Sequence, residues 1–223
     1  MGLSQTARTQ ARYDRQAGRY DLMEAPAEFL AFRRLRRRLW ADVYENTVLE
    51  IGVGTGKNLA YHPRGGRVVA VDLSPRMLRR AADRARRLGK GIDFVLADVQ
   101  RLPFRDGAFD VAVATFVFCS VPDPVAGLEE VRRVMRDEGR VNLLEHVRAR
   151  CRVMGWLMDR VNPIAVRLTG ANINRDTVSN VTRAQIAVDG VDSRWFGLIK
   201  LIRGAVRGQP FQAASRESGR SGW

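Results

Sequence analysis

Five apolar runs recur through the middle of the chain. Thr47–Ile51, Arg67–Asp72, Ile92–Asp98, Val111–Phe116 and Gly139–His146 each read as a strand, and two of them end on an aspartate. Short runs that are apolar on both faces fit the buried strands of a parallel sheet. Between them the pattern changes to helical periodicity. Ser74 and Pro75 supply a cap and a first-turn proline for a helix through about Leu88, and a second helix is expected over Pro124–Met135. The segment from Gly170 to Thr177 leads into a helix to about Ala187, and Val188–Arg194 and Trp195–Ile202 read as two closing strands. This alternation across 47–203 predicts an α/β fold, a Rossmann-like doubly wound sheet with helices on both faces.

Upstream, a helix is expected from Pro26. Phe29, Phe32, Leu35, Leu39 and Val43 recur at steps of three and four, and Arg33, Arg34, Arg36, Arg37 and Arg38 fill the opposite face. Such a helix can dock its apolar stripe on the sheet, or lie on an anionic bilayer with Trp40 at the interface. Further upstream, Tyr13-Asp14 and Tyr20-Asp21 repeat one pair seven residues apart, on one face if a helix continues. Met154–Leu168 is an apolar insertion broken by Asp159, Arg160, Pro163 and Arg167, able to roof a hydrophobic pocket or cover the sheet. The resulting division is an N-terminal helical lid or membrane-contact segment over 1–45, a main domain over 46–207, and a tail over 208–223 with a disordered composition.

Charge and cysteine content change this picture only a little. A net charge of +14 invites a nucleic-acid or anionic-membrane partner. Only Lys57, Lys90 and Lys200 among the 38 basic residues are lysine, a bias that codon usage or heat adaptation also produces. Cys119 and Cys151 match no C-x-x-C or zinc spacing, so we expect thiols in a reducing compartment and no metal. The longest uncharged apolar run, Val111–Val121, is about half of the roughly 20 residues a membrane span requires. With no apolar leader at the N-terminus, a cytoplasmic protein is expected, with peripheral attachment to the inner membrane face compatible.

The candidate chemistry begins where the first strand ends, at Glu50-Ile51-Gly52-Val53-Gly54-Thr55-Gly56-Lys57. A dinucleotide fingerprint needs its third glycine one residue later, where Lys57 stands, and a P-loop needs glycine and Ser/Thr where Ile51 and Asn58 stand. The remaining pattern, E-x-G-x-G-x-G, resembles motif I of the class I S-adenosylmethionine (SAM) methyltransferases. Leu102-Pro103-Phe104-Arg105-Asp106-Gly107-Ala108-Phe109-Asp110 matches the L-P-F-x-D-x-x-F-D segment of the methyltransferase type 11, UbiE-like branch. Tyr13–Asp21 resembles the Y-D-x-x-A-x-x-Y-D lid of its quinone and phospholipid enzymes. The resemblance implies SAM as cofactor, a seventh antiparallel strand, and a set of binding residues. Gly52, Gly54 and Gly56 would wrap the methionine part and Glu50 its amino group. Asp72, with Leu73 beside it, would hold the ribose hydroxyls, Asp98 and Val99 the adenine, and Thr115 would border the site.

The acceptor region departs from the nucleobase enzymes, which carry a polar-Pro-Pro-aromatic tetrad. Thr115-Phe116-Val117-Phe118 is instead an apolar wall, which argues against a flipped base and for a lipid-like or small apolar acceptor. Val117–Val121, Leu144–Val147 and Asn172-x-Asn174-Arg175-x-Thr177 look closer to bacterial phospholipid N-methyltransferases and membrane-associated thiol methyltransferases than to the quinone C-methyltransferases. N-methylation of phosphatidylethanolamine is the leading expectation, with Glu145, His146 and Tyr20 as candidates to accept or relay the proton. His146 bonding a neighbouring loop is the structural alternative for that residue. Rival functions are a small-molecule, thiol or quinone methyltransferase, an RNA methyltransferase, and a SAM-binding protein without activity.

Overall fold

The computed structural model describes residues 4–27, 32–44, 46–149, 151–169 and 171–207. Phe29 and the 208–223 tail lie outside the described residues. Seven strands form one sheet in the order β3-β2-β1-β4-β5-β7-β6. They are β1 Thr47–Ile51, β2 Arg67–Asp72, β3 Asp93–Leu96, β4 Phe109–Thr115, β5 Met135–His146, β6 Ala187–Arg194 and β7 Ile199–Ala205. The first five run parallel, while β7 lies antiparallel between β5 and β6. The doubly wound sheet with an antiparallel last strand is therefore the one the sequence predicts.

Alternation along the strands builds a core on each face. Leu49, Ala112, Ala114 and Leu143 pack with the helices α5 (Pro124–Val134) and α7 (Thr177–Arg183). Val48, Val111, Val113 and Leu144 point the other way, against Leu35, Leu39 and Trp40 of α3 (Arg33–Trp40). The apolar stripe of α3 is thus docked on the sheet, which removes it as a membrane-facing surface. Nor are its arginines uniformly solvated: Arg36 is buried and its Nη1 donates to Asn58 Oδ1 at 2.9 Å. The next helix, α4 (Pro75–Leu88), buries Met77, Ala81 and Ala85 at four-residue steps, and Ser74 Oγ caps it by accepting from Met77 N at 3.1 Å.

Several expected boundaries shift for local reasons. No full helix follows the glycine loop; only a 3-10 turn, Leu59–Tyr61, forms before β2. Pro63 and the Gly65-Gly66 pair stop it, since proline lacks the donor and glycine the helical preference a longer helix needs. Asp137-Glu138-Gly139, between the expected helix and strand, is a bulge within β5: the register steps from Phe109↔Met135 to Val111↔Arg140, with Glu138 at φ +61°. The N-terminal helix is not continuous. The first piece, α1 (Gln5–Gln16), ends before Gly18, and α2 (Tyr20–Ala27) starts anew, so Pro26 sits at the end of a helix rather than at its start. The Met154–Leu168 insertion forms most of α6 (Arg152–Thr169), and α7 stops at Arg183, with Gln185 at φ +59°.

Candidate active site

At the carboxyl ends of β1, β2 and β4, where ligands of open α/β sheets bind, lies a cleft covered by α1 and α2. It holds about 710 Å³ of empty space, part of it open to solvent. Its wall includes Gly52, Gly54, Asp72, Leu73, Asp98, Val99, Thr115 and Tyr20. These eight predicted residues are brought together, while Glu50, Gly56, Glu145 and His146 are not on the wall.

The glycine loop uses its glycines differently. Gly52 has φ +64°, and a Cβ there would come within 2.4 Å of Val117 Cγ2. Gly54 has φ +56° and open space where its Cβ would be, so a ligand can approach its backbone. At Gly56 a Cβ would strike Leu59 and the Ala81 backbone, which makes this glycine a packing requirement against α4. Glu50 lies beneath the loop, fully buried. Its Oε1 accepts from Asn58 Nδ2 at 2.8 Å and its Oε2 is 2.7 Å from His62 Nε2. These bonds tie Glu50 to the loop residues Asn58 and His62, behind the cleft wall.

Asp72 anchors the middle of the cleft. Oδ2 accepts from Gly54 N and Oδ1 from Ser74 N, both at 2.8 Å, which fixes the carboxylate and leaves lone pairs for further donors. Burial raises its pKa to about 6 against the pull of the Ser74 and Gly54 N–H groups, with Glu50 and Asp14 adding repulsion. At the end of β3, Asp98 accepts from Gln100 N at 2.9 Å and from Thr6 Oγ1 of α1 at 3.2 Å.

The helices over the cleft are latched by the aspartates of the repeated Tyr-Asp pair. Asp14 accepts from Ser74 Oγ at 2.5 Å and from Arg76 N at 3.2 Å, and so sits on the start of α4. Asp21 accepts from Thr55 Oγ1 of the glycine loop at 2.5 Å and from Arg84 Nη2 of α4 at 2.7 Å. Tyr13 and Tyr20 then line the cleft, with Thr9 of α1 beside them. The repeated Tyr-Asp pair was the available signal: in each pair the tyrosine faces the cleft and the aspartate holds the lid.

At the acceptor end, Phe116, Val117, Ser120, Val121 and Pro122 form the wall. Phe118 turns into the core and is fully buried, so the expected apolar wall ends one residue earlier than the sequence suggests. Glu145, also fully buried, accepts from Val117 N at 2.9 Å and Phe118 N at 3.0 Å through Oε1. Burial raises its pKa to about 7, opposed by those two N–H groups. Glu145 therefore shapes the loop from behind. The His146 ring stacks on Phe116 with centroids 4.4 Å apart at 17°, while Phe32 meets Phe116 at 4.7 Å. Between His146 and the cleft stands Phe116.

The cleft combines glycines that leave room for a ligand, a fixed strand-end carboxylate, a second carboxylate beyond it and an apolar end, on a doubly wound nucleotide-binding type of sheet. Comparison with known proteins makes the class specific. A family model described as "Methyltransferase domain" matches residues 49–143. The ubiquinone/menaquinone biosynthesis C-methyltransferase UbiE of Acidiphilium cryptum is 31% identical over 175 residues, 75% of this chain and 70% of that one. A thiol S-methyltransferase of Homo sapiens is 33% identical over 146 residues, 63% of this chain and 60% of that protein. A phosphatidylethanolamine N-methyltransferase of Cereibacter sphaeroides is 36% identical over 115 residues, 50% and 57% respectively. The chain thus matches about 60% or less of the length of the latter two relatives. A crystal structure titled as a SAM-dependent methyltransferase, possible histamine N-methyltransferase, from Thermotoga maritima superposes with TM-score 0.68 at 19% identity. It covers 88% of this chain and 99% of that one. The chain belongs to the SAM-dependent methyltransferase family, with SAM as its cofactor.

Proposed function

We propose that this enzyme transfers the SAM methyl group to the amine of phosphatidylethanolamine at a membrane surface. The observation that carries the reading is the acceptor wall: Phe116, Val117, Val121 and Pro122 offer a desolvated, apolar approach to the carboxyl end of β4. The relative named for that reaction in Cereibacter sphaeroides supports it, as does the net charge of +14, suited to anionic lipid.

The bound sulfonium supplies an activated methyl group. The amine lone pair forms the new N–C bond as the S–C bond breaks and its electron pair returns to sulfur. The protein's share is alignment of the two reactants, worth at most roughly 7–11 kcal/mol. Asp72 and Asp98 hold the cofactor side and the wall confines the acceptor. An alkyl ammonium with a lysine-like pKa near 10 must first lose a proton. Of the three candidates, Tyr20 is on the cleft wall, and we assign the relay to it. Glu145 and His146 act as positioning residues, the first through the Val117 and Phe118 amides and the second through Phe116.

A hydrophobic thiol is the second reading. Apart from Asp72 and Asp98, the wall of the described cleft carries no carboxylate and no imidazole. A thiol ionises near 8.5 and needs less help than an ammonium. The human thiol S-methyltransferase relative supports it. Radiolabelled SAM incubated with vesicles containing phosphatidylethanolamine, and separately with alkyl thiols, decides between them. Label in the extracted lipid supports the first reading; label confined to thiols or soluble amines overturns it.

A further inference from the structure

With α3 docked on the sheet, the exposed apolar surface lies elsewhere. Helix α6 carries Val153, Met154, Trp156, Leu157, Val161 and Ile164 on its outer surface, with Val153 76%, Ile164 60% and Trp156 55% exposed. Positions 153, 157, 161 and 164 follow steps of four and three and so share one face. Burial is not the reason for that composition, because among its described residues only Gly155 and Met158 are buried. No described helix is long and apolar enough to cross a membrane.

The polar groups of α6 are divided between two tasks. Asp159, its one acidic residue, bonds Arg148 Nη2 at 2.8 Å and Asn174 Nδ2 at 3.0 Å, and so ties the helix to the body. Arg152, Arg160 and Arg167 are left as its cations, and the Arg160 guanidinium stands 4.9 Å from the Trp156 ring centroid. Exposed aliphatic side chains flanked by arginine and tryptophan suit an anionic bilayer, where the aliphatics enter the acyl boundary and the cations meet the head groups. A second copy is a poor occupant, because it would bring three further arginines and another +14 chain against the same face.

The mounting of α6 links it to the acceptor end. Asn162 Oδ1 accepts from Ile173 N at 2.9 Å, and the neighbouring Asn172 donates from both N and Nδ2 to Cys119 O, at 2.8 and 3.0 Å. Arg175 Nη2 donates to Val121 O at 2.9 Å. The Asn172–Arg175 segment therefore fastens the helix to the loop that forms the apolar wall. We infer that α6 is the element that seats this enzyme on anionic membrane, with the acceptor end of the cleft held beside the lipid surface. This deepens the lipid-substrate reading, yet membrane docking itself does not depend on which acceptor is methylated.

Flotation of the full chain with phosphatidylcholine vesicles, with and without phosphatidylglycerol, tests it in the absence of SAM and phosphatidylethanolamine. Binding is expected only with phosphatidylglycerol, with a blue shift of tryptophan emission. The double variant L157E/I164E should bind at least about tenfold more weakly, and W156A several-fold more weakly. Both should keep the parent's melting temperature and SAM affinity, since these side chains are largely exposed and lie off the cleft wall. Vesicle binding by L157E/I164E equal to the parent overturns the inference. So does a parent dimer that the double variant disrupts while vesicle binding persists. A parent that binds phosphatidylglycerol vesicles but methylates only thiols retains the docking surface and loses the lipid substrate, so the two failures are distinguishable.

Discussion

Two carboxylates with raised pKa values do different work. In the proposed ribose-binding role Asp72 accepts most strongly when ionised, and burial places its pKa at about 6. SAM affinity is therefore expected to stay constant above pH 7 and to weaken by up to tenfold per unit below about 6. Calorimetric titration across that range checks it, and a flat affinity down to pH 5 would contradict the assignment. Glu145 is raised from 4.5 to about 7. Its folded form binds the proton more tightly than the unfolded chain does. Its contribution to stability is therefore full below pH 4.5 and is lost as pH rises through about 7. The variant E145Q keeps an acceptor for the Val117 and Phe118 amides. It should remove that pH dependence while retaining activity within about tenfold, as a positioning residue would. E145A strands two buried donors and should lose about 2–5 kcal/mol. Loss of all turnover in E145Q, with its melting temperature unchanged, would restore Glu145 as the base. The places of Gly52, Gly54, Asp72 and Asp98 on the cleft were legible in sequence because they follow from local backbone. Glu50 was not, because its partners Asn58 and His62 reach it only through the path of the loop.

At the level of elements, the strands were readable because burial on both faces demands unbroken apolar runs. The docking of α3 was one of two readings of its stripe, and only the sheet contacts decide between them. Replacing Leu39, almost wholly buried against the sheet, with alanine should cost about 2–5 kcal/mol in chemical denaturation; a change under about 0.5 kcal/mol would mean the stripe is not docked. The lid was foreseen as a segment, while its latch was not. Asp14 and Asp21 find their partners 60 and 34 residues away in sequence, beyond any local pattern. The variant D14N/D21N should raise the KM for SAM and speed SAM release several-fold with little change in melting temperature. Unchanged SAM kinetics would show that the lid holds without these bonds. Helix starts and stops were the weakest part of the sequence reading, because Gly18 and Pro63 act as breaks only once their neighbours' donors are placed.

For the whole molecule, the sheet order puts the cofactor carboxylates of β2 and β3 on one side of β1 and the acceptor loop after β4 on the other. That arrangement is the frame the methyltransferase relatives fill with SAM, and it is silent about the acceptor. The lipid acceptor we propose rests on the apolar wall, on one relative named for phosphatidylethanolamine and on the exposed face of α6, while the thiol and quinone relatives name other acceptors. Overall charge adds to that direction only through its placement, since arginines also sit in buried and paired positions such as Arg36 and Arg133. The most direct test is methyl transfer itself: labelled SAM with mixed phosphatidylethanolamine–phosphatidylglycerol vesicles, followed by lipid extraction. Label in mono- and dimethylated phosphatidylethanolamine, dependent on the anionic lipid, is the predicted result. Turnover on soluble thiols or amines with none in the lipid fraction would contradict it.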